Sequence, residues 1–247
     1  MCETILCGPV FGEFFGTFFL IFLGEATNAN VLLKKSKGEN SGWIVISTGW
    51  GLAVLFGIIT SLSVGGVAHL NPAVTVALAI CNGDYYTILP YTTAQTVGAF
   101  CAATLVWITF LPHWAETSDQ GLKLGVFATG PAIRNITANA TCELLATAAL
   151  VIAGFAIGSK GVAVNGLPAG FSPYLWGMLI WSIGLGLGGP TGYAINPARD
   201  FGPRLAHSVL PIAGKGCSDW GYALVPIIGP LAGGVIGAII CKMTGIV

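Results

Sequence analysis

Long apolar runs alternate with short polar connections along the whole chain, and most of the runs have the length of a bilayer. They predict six crossings at roughly 9–31, 43–63, 86–111, 136–158, 174–190 and 220–242, since a crossing helix needs about 20 predominantly apolar residues. Two further runs, about 71–82 and 197–208, have helical composition but only half that length. Each follows a glycine-rich stretch, Val64-Gly65-Gly66 in the first case and Gly184 to Gly192 in the second. Glycine opens backbone conformations that a Cβ forbids, and irregular backbone at membrane depth survives only where protein or water satisfies it. The two short runs are therefore predicted to be re-entrant half-helices. The connections, about 32–42, 112–135, 159–173 and 209–219, are short and polar. Trp43, Trp107, Trp114, Trp176 and Trp220 fall near crossing ends, where an interfacial aromatic belt is expected, and Trp50 and Trp181 fall deeper.

Composition supports a membrane class. Of 247 residues, 54% are hydrophobic and 8% are charged, against about 25% charged in a soluble domain. The length leaves no room for a sizeable extramembrane domain beside six crossings, so 1–247 is expected to be a single domain. Lys+Arg and Asp+Glu are 10 each, and this balance gives no reason to expect a nucleic-acid partner. The seven cysteines (Cys2, Cys7, Cys81, Cys101, Cys142, Cys217 and Cys241) include no CxxC pair and are expected to be small buried hydrophobes. The N-terminus does not read as a signal peptide, because Glu3 but no Lys or Arg precedes the first run, which itself contains Glu13. The chain shows no Ser/His/Asp or Cys/His arrangement, no phosphate loop and no metal-ligand cluster. Neither catalysis, nor a cofactor, nor a metal is expected.

The chain also repeats itself. His69-Leu70-Asn71-Pro72-Ala73-Val74 matches Tyr193-Ala194-Ile195-Asn196-Pro197-Ala198-Arg199 around a shared Asn-Pro-Ala, at an offset of 125. Glu13 matches Glu143 at an offset of 130, and Gln95-x-x-Gly98 matches Pro230-x-x-Gly233 at 135. Each half, about 1–125 and 126–247, then holds three crossings and one half-helix. An odd number of crossings inverts the second half in the membrane, with the working site at the midplane.

Asparagine is a strong N-cap and proline suits the first helical position, so each Asn-Pro-Ala reads as a helix start. With the Asn71 or Asn196 oxygen spent on the cap, the side-chain NH₂ is expected to be free, and it can only donate. Inversion brings both donors and two positive helix ends, about half a charge each, to one spot. A water held by two donors turns its hydrogens away and breaks a proton wire, and cations meet positive ends and a desolvation cost. The residues predict a pore for neutral solutes that excludes protons. Val67, Ala68 and His69, with Gly192, Tyr193 and Ala194, are expected to be extended and to offer carbonyls along one side. His69 could otherwise be a gate or a metal ligand, but no second His or Cys lies at ligand spacing. Arg199, costly at bilayer depth unless it faces protein or water, is expected to point into the pore. Asp200 and Arg204 are read as local partners at its mouth. Glu13 and Glu143 are read as buried structural acceptors for the backbone of the re-entrant loops, with a proton relay as the alternative.

This set of motifs, together with Gly12-Glu13-Phe14-Phe15-Gly16-Thr17, resembles the aquaporin (major intrinsic protein) family over essentially the whole chain. The resemblance implies an all-α fold of six tilted helices plus two half-helices, assembled as a homotetramer with one pore per subunit. Asp200 after Arg199 looks like the glycerol-facilitator branch. By resemblance the narrowest point is formed by Trp50, Gly184, Tyr193 and Arg199. Trp50 and Gly184 would make it wider and more apolar than in water-selective members. Trp50 and Tyr193 would form an aromatic corner, with Arg199 opposite. The implied permeants are glycerol, some water and other small neutral solutes, among which lactic acid, urea, dihydroxyacetone and hydrogen peroxide are not ranked. The rivals are a water-selective pore of the same fold and a proton-coupled transporter.

The resemblance also implies a cell membrane with both termini in the cytoplasm. Outside loops would then hold Lys34, Lys35, Lys37, Lys123, Arg134, Arg199, Arg204 and Lys215, against Lys160 and Lys242 inside. The positive-inside rule favours the opposite orientation. Asn135-Ile136-Thr137 and Asn139-Ala140-Thr141 match the glycosylation pattern and receive no function.

Overall fold

In the computed structural model, which describes residues 6–247, ten helices run in the order α1 (Pro9–Leu32), α2 (Trp43–Ser63), α3 (Pro72–Asn82), α4 (Ile88–Thr109), α5 (Leu111–Glu116), α6 (Gln120–Phe127), α7 (Ile136–Ile157), α8 (Phe171–Leu187), α9 (Pro197–Val209) and α10 (Val225–Thr244). Cys2 and Glu3 lie outside the described residues. Four helices, α1, α2, α7 and α10, are long and apolar enough to cross a bilayer. The 22-residue α4 has the length but carries Thr and Gln, and the 17-residue α8 is apolar but shorter. The half-helices α3 and α9 have 11 and 13 residues.

Packing pairs these elements across the chain. α1 packs on α2 and α4, and α7 packs on α8 and α10. Each half-helix lies against the last long helix of the other half of the chain, α3 against α10 and α9 against α4, and α3 meets α9. Small residues allow the closest approaches, as at membrane helix interfaces in general. A Cβ on Gly98 of α4 would stand 2.4 Å from the Phe14 carbonyl oxygen, and one on Gly233 of α10 would stand 2.3 Å from that of Leu144. Gly98→Leu and Gly233→Leu are each expected to lower the unfolding temperature in detergent, by the equivalent of about 1–3 kcal/mol or more. An unchanged temperature for both would show that these helices can move apart freely.

The helices differ from the pattern-based spans in informative ways. α8 starts and stops three residues before the expected 174–190, and α10 begins at Val225 because Trp220–Leu224 form turns. The stretch 112–135 is not a plain connection but contains α6 and most of α5. The Asp119 side chain caps α6 by accepting from the Gly121 and Leu122 N–H groups. Trp114 does not join an interfacial belt. It is buried, with its ring stacked on Phe127 and its indole N–H donating to the Trp107 carbonyl. Among the described cysteines Cys241 is buried, Cys81, Cys101 and Cys142 are half-buried, and Cys7 and Cys217 are exposed. Cys7 precedes the first helix and Cys217 lies in a loop, outside the apolar packing that would cover them.

Several loop cations are tied down. Lys34 pairs with Glu39 at 2.7 Å, Lys35 with Glu116 at 2.6 Å, and Arg134 with Asp219. The Lys34 ammonium and the Lys35 N–H hold the Glu39 carboxyl below its ordinary range. The Lys215 ammonium donates to the carbonyls of His207, Ser208 and Leu210 at the end of α9, where a cation is favoured by the helix dipole.

Candidate functional site: a passage at the meeting of the half-helices

A cavity of about 300 Å³ runs past the point where α3 and α9 meet. Leu20, Val54, Ile58, Val74, Leu150 and Ile180 are apolar parts of its lining. Its polar parts are Asn71, Asn196, Arg199 and the segments 67–70 and 192–195.

The half-helix starts are built as follows. Asn71 Oδ1 accepts from the Ala73 N–H at 2.8 Å, and Asn196 Oδ1 accepts from Ala198 and Arg199 at 3.0 and 3.2 Å. Pro72 and Pro197 occupy the first helical positions. The amide NH₂ groups are not free, which corrects the sequence reading. Asn71 Nδ2 donates to the Ile195 carbonyl and Asn196 Nδ2 to the Leu70 carbonyl, both at 2.8 Å. These bonds cross between the halves of the chain, where pairing cannot be read from local sequence. Each NH₂ keeps one further hydrogen, so two donors still adjoin the cavity.

The runs before the caps are not uniformly extended, a second correction. Ala68 and Leu70 have φ of 59° and 53°, and Tyr193 and Ile195 have φ of 39° and 44°. Left-handed non-glycine residues each cost about 1–3 kcal/mol. Here they interrupt the two-sided alternation of a strand, so that successive carbonyls can address one passage. The carbonyls of Val67, Ala68, His69, Gly192, Tyr193 and Ala194 have no hydrogen-bond partner among the described residues. The opposing N–H groups are held by two buried carboxylates. Glu13 accepts from His69 and Leu70, both at 2.7 Å. Glu143 accepts from Ala194 and Ile195 at 3.0 and 2.8 Å. Gln95 Nε2 also donates to Glu13, at 2.7 Å, and to Thr75 Oγ1 at 3.0 Å. The His69 ring pairs with Thr75 through Nδ1 at 3.2 Å and stands edge-on to Tyr91.

Trp50, Tyr193 and Arg199 all line the cavity. Arg199 does not face the aromatic corner from the opposite side. Its guanidinium lies 4.0 Å over the Trp50 ring and donates to the Phe127 carbonyl at 3.1 Å, a stacking that offsets part of its desolvation. Gly184 does not line the cavity. A Cβ there would stand 2.7 Å from Tyr193 Cζ, so the Tyr193 ring fills the space that the missing side chain leaves. That correction removes the widening expected from glycine itself. The Trp43 indole N–H closes the back of this corner by donating to the Gly184 carbonyl at 2.9 Å.

Asp200 and Arg204 are fully buried and away from the cavity, not at its mouth. Arg204 reaches Asp200 through two bonds of 2.7 and 2.9 Å, and Asp200 also accepts from the Thr129 N–H and hydroxyl. Arg204 further donates to the carbonyls of Thr129, Ser218 and Asp219. This pair staples α9 to the loops that bound the passage. Asn135 is spent capping α7 and Asn139 is buried.

Two α1 residues at this corner escaped the sequence reading. Asn28 accepts from the Trp50 indole at 3.0 Å and donates to Gly125 and Val126 carbonyls. Glu25 is fully buried. Both interrupt an apolar run in a membrane helix, which is itself a signal.

A helical bundle with helices of membrane-crossing length and a cavity at the meeting of two half-helices has the architecture of a channel. Comparison with known proteins gives the family. The sequence profile of the Major intrinsic protein family matches residues 4–241. A probable glycerol uptake facilitator protein of Thermotoga maritima is 56% identical over 227 residues, 92% of this chain and 94% of that protein. Glycerol uptake facilitator protein 3 of Lactiplantibacillus plantarum is 49% identical over 241 residues, 97% and 98% of the two chains. The structure of the aquaglyceroporin from Plasmodium falciparum superposes with a TM-score of 0.82 at 30% identity, covering 96% of this chain and 98% of that one. The chain belongs to the major intrinsic protein family, in its glycerol-facilitator branch, and is a channel protein rather than an enzyme.

Proposed function

We propose that this chain is a passive facilitator for glycerol and other small uncharged solutes, which also passes some water and excludes protons and ions. The observation that carries this reading is the mixed lining of the passage. A polyol has CH groups and hydroxyls, which the apolar residues and the carbonyl and amide groups of the lining can each meet. Trp50 and Tyr193 form the aromatic corner of the narrow point, with Arg199 as its donor and Gly184 as the space into which Tyr193 retracts. The remaining N–H of Asn71 and of Asn196 orients a passing oxygen, which breaks a water wire at the positive ends of α3 and α9. Pro72, Ala73, Pro197 and Ala198 complete the two helix starts, and the free carbonyls form an acceptor ladder. Glu13, Glu143 and Asp200 are structural.

The halves 1–125 and 126–247 act as an inverted pair, a reading supported by the reciprocal packing of α3 on α10 and α9 on α4. Assembly is as a homotetramer with one passage per subunit. The termini lie in the cytoplasm of a cell-membrane protein. The opposing charge count loses weight because Lys34, Lys35, Arg134, Arg204 and Lys215 are engaged by partners within the fold.

Stopped-flow light scattering on proteoliposomes tests the function. Hyperosmotic sucrose should give fast shrinkage, and hyperosmotic glycerol should give shrinkage followed by fast protein-dependent reswelling. Fast shrinkage without accelerated reswelling would make the pore water-selective and overturn the solute assignment. Uphill glycerol uptake driven by a pH gradient would replace the channel with a coupled transporter.

A further inference from the structure

Glu25 lies in α1 between Gly24 and Asn28, both of which contact Trp50, and has no visible partner of its own. Its side chain is fully buried in α1, and neither carboxylate oxygen has a hydrogen-bond partner among the described residues. A carboxylate buried alone is so costly that it stays ionised only with compensation nearby, and otherwise takes up a proton. Its surroundings identify that compensation. Gly24, the preceding residue, lies against the Trp50 ring, where a Cβ would stand 2.5 Å from Trp50 Cε3. Asn28, on the same helix face at i+3, accepts from the Trp50 indole and donates to the carbonyls of Gly125 and Val126. Trp50 carries the Arg199 guanidinium, and Phe127, next after Val126, accepts its N–H. This stretch of α1 therefore backs the corner in which Arg199 is held.

Charge bookkeeping singles out the same residue. Glu25, Asp200 and Glu143 are acidic groups close enough to act on Arg199. Asp200 is committed to Arg204 through two bonds, and Glu143 to the peptide N–H groups of Ala194 and Ile195. Glu25 alone of the three has no other engagement among the described residues. Without it, the narrow point would carry the Arg199 charge added to the positive ends of two half-helices, which is an anion site.

We propose that Glu25 is the counter-charge of Arg199 and keeps small anions out of the constriction by cancelling the positive charge at its wall. It touches no solute and acts through Arg199 as a positioning and charge-balancing residue. The inference rests on the channel reading above.

Nitrate is the probe, because it stays ionised at any usable pH and has no neutral form to leak. Proteoliposomes of wild type, Glu25→Gln, Glu25→Asp and Glu25→Leu would each be measured twice. Glycerol reswelling reports the open passage, and a potential-sensitive dye reports nitrate entry against impermeant gluconate. Wild type and Glu25→Asp should remain tight to nitrate. Glu25→Gln should raise the nitrate-to-glycerol ratio at least about tenfold, which is what one unit charge is worth even about 12 Å away at an effective dielectric of about 20. Glu25→Leu removes the same charge with a side chain that a buried site tolerates, so it carries the test if the glutamine variant does not fold. A glycerol-conducting Glu25→Gln or Glu25→Leu that stays tight to nitrate overturns the proposal. A Glu25→Asp that leaks as much as they do also overturns it, by assigning the effect to packing. Failure of wild type to pass glycerol would instead remove the channel reading itself.

Discussion

Glu143→Ala is expected to abolish glycerol conduction and to cost most of the yield of folded protein. The Ala194 and Ile195 N–H groups, now held at 3.0 and 2.8 Å, would lose their acceptor inside a buried loop. Each orphaned group costs about 1–3 kcal/mol, a large part of a total stability of about 5–15 kcal/mol. The loss falls where Tyr193 and Ile195 already hold left-handed conformations, so the strained carbonyl ladder should relax first. Glu13→Ala should act alike on His69 and Leu70, with the added loss of the Gln95 contact. Glu143→Gln keeps one accepting oxygen and should fall between. Monodispersity on size exclusion, the unfolding temperature and reswelling in glycerol measure the series. A Glu143→Ala protein with wild-type stability and flux would mean that packing alone holds residues 192–195.

Gly184→Leu is expected to close the passage to glycerol while leaving the protein folded. The new side chain would enter space held by the Tyr193 ring, 2.7 Å from the position of its Cβ. Tyr193 has its other flank against Trp43, so the open direction for the ring is the cavity. Glycerol flux should fall at least tenfold, which needs only about 1.4 kcal/mol of added barrier, and water flux should fall less because water is narrower. Adding Tyr193→Ala to Gly184→Leu should restore glycerol reswelling. If the double variant stays closed, the space behind Tyr193 does not set the width.

Most of the fold was legible because bilayer length and helix-start chemistry are both local. The apolar runs placed the long helices within a few residues, and Asn-Pro-Ala located both half-helices at the residue where each begins. Trp50, Tyr193, Arg199 and the two asparagines do line the cavity. What stayed hidden depends on contacts between distant segments. The Asn71 and Asn196 amides look free in sequence because their second partners lie 124 and 126 residues away. The left-handed conformations of Ala68, Leu70, Tyr193 and Ile195 are imposed by Glu13, Glu143 and the crossed amides, and side chains of these types give no local hint of them. Gly184 suggested extra width, but a ring from another segment occupies the gap. Asn28 and Glu25 were detectable as polar interruptions of α1, yet their meaning required Trp50 and Arg199 in place.

The crossed amide bonds constrain how this molecule can work. Asn71 is tied to Ile195 and Asn196 to Leu70 where the two half-helices meet. A rocking motion that opened the two faces in turn would have to break both bonds in every cycle. The centre is therefore a keystone rather than a hinge. Solutes must thread a fixed bore, and flux in either direction meets the same barrier. Neither half of the chain holds that bore alone, because each supplies the carbonyl that the other half's asparagine requires.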